Sequence, residues 1–116
     1  MAAQDSVLTQ IARPYASALF DIANSSNSIP QVEAGLTAIA SLAADSQDFS
    51  RFLRSPVINA DQKATAIQAI LSKANADKTV TNFVNVVARN GRLFALPAII
   101  TAFRERAAQA RGEVTA

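Results

Sequence analysis

Apolar residues recur three and four positions apart along most of the chain, which is the spacing of one face of an α-helix. We predict six helices, over residues 6–23, 29–44, 47–53, 60–74, 78–90 and 93–111. The fifth is rich in valine, which favours strands, but Val80, Phe83, Val84 and Val87 keep a helical spacing. No segment alternates as a half-buried strand would. The pattern therefore predicts an all-α fold, a six-helix bundle in a single domain.

Short local signals predict where several of these helices begin and end. Ser28 is followed by Gln31, and Asn59 by Gln62, and both pairs have the spacing of a capping box at a helix start. Gly91 follows the fifth helix, where a glycine commonly ends a helix in the left-handed conformation. We expect the connections between the helices to be short.

The first two helices each contain an unusual residue. Asp5 or Ser6 is predicted to cap the first helix, and Pro14 inside it is expected to kink it or weaken its first turns. Gly35 lies inside the second helix, where it adds no side chain. We predict that another backbone approaches this helix closely at Gly35.

The composition leaves little room for catalysis. The chain of 116 residues has no cysteine, histidine or tryptophan, which excludes disulfides, histidine triads and the usual zinc sites. No glycine-rich phosphate loop occurs. Asp45 and Asp48 are close in sequence, but acids at a helix start are ordinary capping residues. We predict no catalytic residues, no cofactor and no metal site, and therefore a protein that is not an enzyme.

No apolar run approaches the 18 residues of a membrane span, and the first ten residues do not resemble a targeting signal. We therefore expect a soluble domain that acts in the compartment where it is made.

Charge is divided unevenly along the sequence. Residues 1–50 hold one arginine and five acids, a net charge of −4, and residues 51–116 hold ten basic residues and four acids, a net charge of +6. The last third contains Arg89, Arg92, Arg104, Arg106 and Arg111. Clustered cations can bind nucleic acid, which we keep as the alternative function. Solvated helix faces explain the same pattern more simply.

Two helices carry more apolar positions than one buried stripe needs. The predicted core line of the first helix comprises Leu8, Ala12, Tyr15 and Leu19, with Ile22 at its edge. The surplus positions are Val7, Ile11 and Ala18 on the first helix and Val86, between Asn82 and Asn90, on the fifth. If these helices pack side by side, the surplus faces form a groove that suits an amphipathic partner helix. Coverage by another helix of the same bundle is an equally good interpretation of the periodicity.

Three motifs then occur in a specific order. They are ARPYASALFD at residues 12–21, FLRSPV at residues 52–57 and NGRLFALP at residues 90–97. Together they resemble the delta subunit of the F-type ATP synthase, whose mitochondrial counterpart is the oligomycin-sensitivity-conferring protein. The resemblance extends from about Val7 to Glu113.

The resemblance implies a fold and a partner. In that family, the N-terminal domain of the delta subunit is a six-helix bundle that sits on the catalytic head. The first and fifth helices of this domain bind the N-terminal helix of an alpha subunit. Carried over by position, the partner-binding residues are Tyr15, Ala18, Asn82, Val86 and Asn90. The apolar pattern alone adds Ile11 and Ile22.

The resemblance also implies a mechanical role. Members of this family link the head to the peripheral stalk and hold it against the torque of the rotor while proton translocation drives ATP synthesis. We expect residues 1–112 to form the head-binding domain and residues 113–116 to begin a linker. The C-terminal domain that grips the b subunits of the stalk would then be absent, as in a shortened chain or a proteolytic fragment.

The expected location follows from the same resemblance. We expect a monomer when isolated and, in the complex, a peripheral subunit with no direct membrane insertion and no nucleic acid bound. Its place would be the cytoplasmic face of the bacterial inner membrane, with a mitochondrial or chloroplast counterpart left open.

Overall fold

Six α-helices and one short 3₁₀ turn follow one another in the computed structural model, which describes the backbone of residues 3–112 and the side chains of residues 7–112. The helices are α1 (Ala3–Ser25), α2 (Ile29–Asp45), α3 (Gln47–Arg54), α4 (Ala60–Lys73), α5 (Lys78–Arg89) and α6 (Leu96–Ala110), and the 3₁₀ turn is Leu93–Ala95. No strand occurs in the described backbone. The predicted all-α bundle of six helices is confirmed, with most ends within one or two residues of their predicted positions.

The helices meet around one apolar core. Helix α1 packs mainly against α6, α4 packs against α5, and α2 contacts α6, α3 and α5. The largest side chains that are fully buried include Leu19, Leu36, Leu53, Ile67, Ile99 and Phe103. The predicted stripes of α5 and α6 are buried, as are Val32, Leu36 and Ile39 of α2. The fold therefore leaves mainly one face of each long helix for contacts outside the bundle.

The buried line of α1 differs from the prediction. It comprises Ala12, Ala16, Leu19 and Ala23, with Phe20 beside it. Tyr15 is half-buried, and Ile22 is 52% exposed, so both lie on a neighbouring face. Alanines let α6 approach closely along their line, although they contribute little to an apolar pattern. The predicted core line is therefore confirmed at Ala12 and Leu19 and half-buried at Leu8 and Tyr15, and only its extension to Ile22 is wrong.

The start of α1 also differs from the prediction. The helix begins at Ala3, so Asp5 and Ser6 lie within its first turns, and the predicted cap is wrong. Helix α1 then runs without a break through Pro14, which is exposed. Proline has no N–H to donate within the helix, but on an exposed face water can hydrogen-bond the carbonyl left without a donor. Pro14 therefore does not divide α1 into two segments.

The capping box predicted at α4 is present. The Asn59 side chain accepts a hydrogen bond from the Gln62 backbone N–H at 2.8 Å, and the Gln62 side chain accepts one from the Asn59 N–H at 3.1 Å. The reciprocal pair satisfies two backbone donors that the first turn of a helix otherwise leaves free.

The capping box predicted at α2 is wrong. Ser28 makes no side-chain bond to the start of α2, and its hydroxyl instead lies 2.7 Å from the Ser26 hydroxyl. Asn27 has a φ of 57° and closes the end of α1. This closure leaves Ser28 at φ −123° and ψ 20°, away from the extended conformation of a capping residue.

Replacing Asn59 with alanine should lower the free energy of unfolding by about 1 kcal/mol, because the Gln62 backbone N–H loses its side-chain acceptor. Ser28→Ala is the matched control: it removes the same kind of predicted cap, and we expect a change below about 0.5 kcal/mol. Urea unfolding followed by circular dichroism measures both. Equal losses for the two variants would contradict this assignment of the caps.

Gly91 acts as the sequence predicts, whereas the contact at Gly35 differs in kind. Gly91 has a φ of +74° and donates to the Ala88 carbonyl at 3.0 Å, which ends α5 where predicted. A Cβ at Gly35 would lie 3.0 Å from a methyl carbon of Val80. A close approach at Gly35 is therefore present, but the Val80 side chain makes it and not the backbone that was predicted. This contact sets α2 against the start of α5.

Among the described side chains, Lys63 is the charged residue that is buried. Its ammonium donates to the Leu53 carbonyl at 2.9 Å, so it satisfies a backbone acceptor in the last turn of α3. Burial removes water from the ammonium and lowers the pKa of Lys63 below the ordinary value of 10.5.

The lowered pKa predicts how stability depends on pH. Between the lowered pKa and 10.5 the unfolded chain binds more protons at Lys63 than the folded chain does. The contribution of Lys63 to stability should therefore rise with pH across that interval. Relative to Lys63→Met, the unaltered chain should gain stability in urea unfolding between pH 7 and 10.5. A difference in the free energy of unfolding between the unaltered chain and Lys63→Met that stays constant or falls with pH would contradict the prediction.

Candidate functional site

One face of α1 stays outside the core along three turns. Ile11, Tyr15, Ala18 and Ile22 follow one another at spacings of four, three and four residues, which places them in a single stripe. Ile11 and Tyr15 are half-buried, whereas Ala18 and Ile22 are exposed. Val7 continues the stripe one turn earlier and is 55% exposed. Helix α1 therefore has a largely aliphatic surface beside its buried line.

A matching stripe lies on α5. Asn82, Val86 and Asn90 are spaced four residues apart, and all three are exposed, Val86 by 51%. The opposite side of α5 is fixed in the core by Val80, Val84 and Val87, so this helix cannot rotate to bury Val86. The stripe combines one aliphatic side chain with two amides, one a turn before it and one a turn after it.

Tyr15 brings the two stripes together. Its ring stands edge-on to Phe83 of α5, with centroids 6.2 Å apart and planes at 76°, a favoured aromatic arrangement. The Asn90 side-chain nitrogen donates a hydrogen bond to the Tyr15 hydroxyl oxygen at 3.0 Å. Helices α1 and α5 therefore lie side by side here. We call the surface formed by Ile11, Tyr15, Ala18, Ile22, Asn82, Val86 and Asn90 the α1/α5 groove.

The structure places all seven of these side chains on the two adjoining stripes. It joins Tyr15 directly to Asn90, and the others extend along the same faces. Within residues 7–112, no other helix of the bundle covers Ile22, Val86 or Ala18. The alternative that the bundle itself covers the surplus positions is therefore wrong for Val7, Ala18 and Val86, whereas Ile11 is half-buried against the core.

Phe83 belongs to the groove as well as to the core. The sequence pattern assigns Phe83 only to the buried stripe of α5, and Phe83 is 8% exposed. Its ring nevertheless packs edge-on against the Tyr15 ring. Its position seven residues before Asn90, on nearly the same side of the helix, was a usable signal. Val7, one of the surplus apolar positions of the first helix, extends the groove by one turn.

The arginines of the last third mostly have partners within the fold. Arg89 pairs with Asp61 at 3.3 Å, Arg111 with Glu33 at 3.0 Å, Arg104 bonds the Thr37 hydroxyl at 3.1 Å, and Arg106 lies 5.0 Å over the Phe20 ring. These contacts distribute the positive charge over several helices. They do not form the single cationic face that phosphate binding requires.

A concave surface of a different kind lies between α2 and α4. This trough has a volume of about 480 Å³, and its lining includes Ala38, Leu42, Ile70 and Ala74. It contains no aromatic residue and no hydrogen-bonded pair of side chains from different helices. The α1/α5 groove therefore offers the more specific combination of aliphatic and polar contacts.

The described residues offer neither a metal site nor a membrane span. Among them, no three histidine, cysteine, aspartate or glutamate side chains are grouped so that they could hold a metal ion. None of the described helices is long and apolar enough to cross a bilayer. What the groove offers is contact area and hydrogen bonds, which serve binding.

A family model and individual relatives agree on one protein family for this chain. The model of the ATP synthase delta (OSCP) subunit family matches residues 11–116. The protein called ATP synthase subunit delta in Mesorhizobium japonicum is 43% identical over 116 residues, which is all of this chain and 62% of that protein. The protein of the same name in Rhizobium rhizogenes is 45% identical over 109 residues, 94% of this chain and 58% of that protein.

A third relative agrees in both identity and extent. The ATP synthase subunit delta of Brucella ovis is 44% identical over all 116 residues and 62% of its own length. The chain thus spans about three fifths of the length of the curated relatives it matches. A family match over nearly the whole chain, with identity above 40%, shows that the chain belongs to the ATP synthase delta (OSCP) subunit family.

Proposed function

We propose that the α1/α5 groove binds the N-terminal helix of an alpha subunit at the top of the catalytic head of an F-type ATP synthase. The observation that carries the proposal is the exposed aliphatic face of α1 and α5, on which Ile22 and Val86 are each about half exposed. An isolated bundle gains nothing from exposing this surface, whereas an amphipathic partner helix buries it. Membership of the delta (OSCP) family supports the same partner.

The groove suits a helix that inserts its apolar face. Ala18 lies at the middle of the α1 stripe, where its small side chain permits a close approach of the partner backbone. Tyr15 provides a broad apolar ring with a polar tip. Asn82 and Asn90 lie eight residues apart on α5, so their amides can fix the register of a helix that lies along the groove.

The role proposed for this chain is mechanical. Its part in the complex is to hold the head, as a non-catalytic component of the stator that links the head to the peripheral stalk against the torque of the rotor. The relatives extend well beyond the matched region, and we propose that contacts with the b subunits of the stalk lie in that further part. We propose a peripheral place on the cytoplasmic face of the bacterial inner membrane, reached through the head.

Binding to the catalytic head tests the proposal. The chain should bind the purified head of its own organism with a stoichiometry of one, as measured by calorimetry. The head whose alpha-subunit N-terminal segments have been removed by limited proteolysis is the matched control, and it should not bind. Equal binding to both heads would show that the partner lies elsewhere on the head.

The nucleic-acid alternative makes the opposite prediction about salt. An apolar groove should bind its partner with an affinity that changes little between 50 and 200 mM salt, whereas phosphate contacts lose affinity steeply, by up to several orders of magnitude. The engaged arginines give the alternative little support. Titration of the same sample with duplex DNA should therefore show only weak binding that high salt abolishes.

A further inference from the structure

The hydrogen bond between Asn90 and Tyr15 has a direction. The Asn90 amide nitrogen donates and the Tyr15 hydroxyl oxygen accepts, at 3.0 Å. A phenol carries one O–H of its own, and a side-chain amide carries two N–H groups. The Tyr15 O–H and the second N–H of Asn90 thus have no acceptor among the described residues. Two donors therefore lie side by side at one end of the α1/α5 groove.

These two donors matter once the groove is covered. In the free chain water can accept from both, because Asn90 is exposed and Tyr15 is only half-buried. A partner helix that lies along the groove displaces this water, and a buried donor without an acceptor is strongly unfavourable. The partner must therefore supply acceptors at this end.

A carboxylate fits the pair better than a neutral acceptor does. It has two acceptor oxygens and no donor, and it forms stronger, charge-assisted hydrogen bonds with two adjacent donors. The surrounding charge is compatible with an anion: Arg89 is paired with Asp61, while Arg92 adds a further positive charge just after α5. One positive charge outweighs the roughly half negative charge of a helix C-terminus.

We infer that the partner helix presents one carboxylate, from glutamate or aspartate, to Tyr15 and Asn90. The inference rests on the proposed function, since it names the chemistry of the helix that fills the same groove. The other end of the α5 stripe carries Asn82, to which no hydroxyl of residues 7–112 is hydrogen-bonded. The two ends differ, so the carboxylate also sets the direction in which the partner helix lies.

A double-mutant cycle tests the inference. The probe is a synthetic peptide of the N-terminal segment of the alpha subunit from the same organism, together with variants in which each acidic residue is replaced in turn by its amide. Calorimetry measures each peptide against the unaltered chain and against Tyr15→Phe. One acid-to-amide change should weaken binding to the unaltered chain about tenfold and weaken binding to Tyr15→Phe far less.

A charge change at each end of the α5 stripe provides a second readout. Asn90→Asp supplies a carboxylate that accepts the Tyr15 O–H and repels an approaching anion, so it should weaken peptide binding by about tenfold or more. Asn82→Asp is the matched control with the same added charge on the same face, and it should weaken binding only a few-fold. Circular dichroism verifies that each variant is folded.

The outcomes separate the inference from the proposed function. The carboxylate inference is wrong if the unaltered peptide binds but no acidic position is coupled to Tyr15. It is also wrong if Asn90→Asp and Asn82→Asp bind the peptide equally. In both cases the proposed binding of the alpha-subunit helix to the groove still stands. If the unaltered peptide does not bind the unaltered chain, the proposed partner is wrong and the inference fails with it.

Discussion

Replacing Ala18 with aspartate should abolish binding of the alpha-subunit helix and leave the fold nearly unchanged. Ala18 lies on the exposed stripe of α1, between Tyr15 and Ile22. In the free chain the new carboxylate stays in water, so the free energy of unfolding should change by less than about 0.5 kcal/mol. Under a partner helix it would be buried among aliphatic groups without a cation, which should weaken binding by about a hundredfold or more.

Ala69→Asp provides the control for this prediction. Ala69 is also exposed in the middle of a helix, but it lies on α4, outside the α1/α5 groove. The substitution is chemically identical but lies away from the groove. The affinity for the peptide should therefore stay within about twofold of that of the unaltered chain. If Ala18→Asp unfolds the chain, Ala18 belongs to the core. If both variants bind as well as the unaltered chain, the partner lies on another surface.

The second large effect is on stability. Phe103 of α6 is completely buried and packs against the Phe20 ring of α1, with centroids 6.0 Å apart. Phe103→Ala removes a large apolar side chain and leaves a cavity where α1 and α6 meet, which should destabilise the fold by about 3–5 kcal/mol. This is a large fraction of the roughly 5–15 kcal/mol that stabilises a typical domain.

Phe94→Ala is the matched control for Phe103→Ala. Phe94 is 36% exposed in the 3₁₀ turn, so the same truncation should cost about 1 kcal/mol and leave a smaller defect. Urea unfolding followed by circular dichroism measures both variants. An equal loss of unfolding free energy in the two variants, or a larger loss for Phe94→Ala, would show that the core does not centre on the contact between α1 and α6.

Much of the fold is predictable because its helices follow local rules. The spacing of Val80, Phe83 and Val87 placed α5 despite its valine content, and those residues are buried. Gly91 and the Asn59 capping box act through neighbouring residues, so their roles could be inferred from short sequence windows. The exposed stripe on α1 and α5 was visible as surplus apolar residues, although whether another helix covers it depends on the packing of the whole bundle.

The failures arose where tertiary contacts override local patterns. Alanines weigh little in an apolar pattern, so the choice between the line through Tyr15 and the line through Ala16 depends on where α6 packs. Ser28 lost its cap because the left-handed Asn27 fixes the backbone before it. The Lys63 contact with Leu53 joins two different helices, and no local sequence pattern indicates it.

The most direct test of the central claim is a titration of the isotope-labelled chain with the alpha-subunit N-terminal peptide, followed by NMR at low and high salt. The account predicts saturable shifts concentrated at Tyr15, Ala18, Asn82 and Val86, with an affinity that changes little with salt. Shifts centred on the trough between α2 and α4, or no shifts with the unaltered peptide, would contradict the claim that the α1/α5 groove holds the catalytic head.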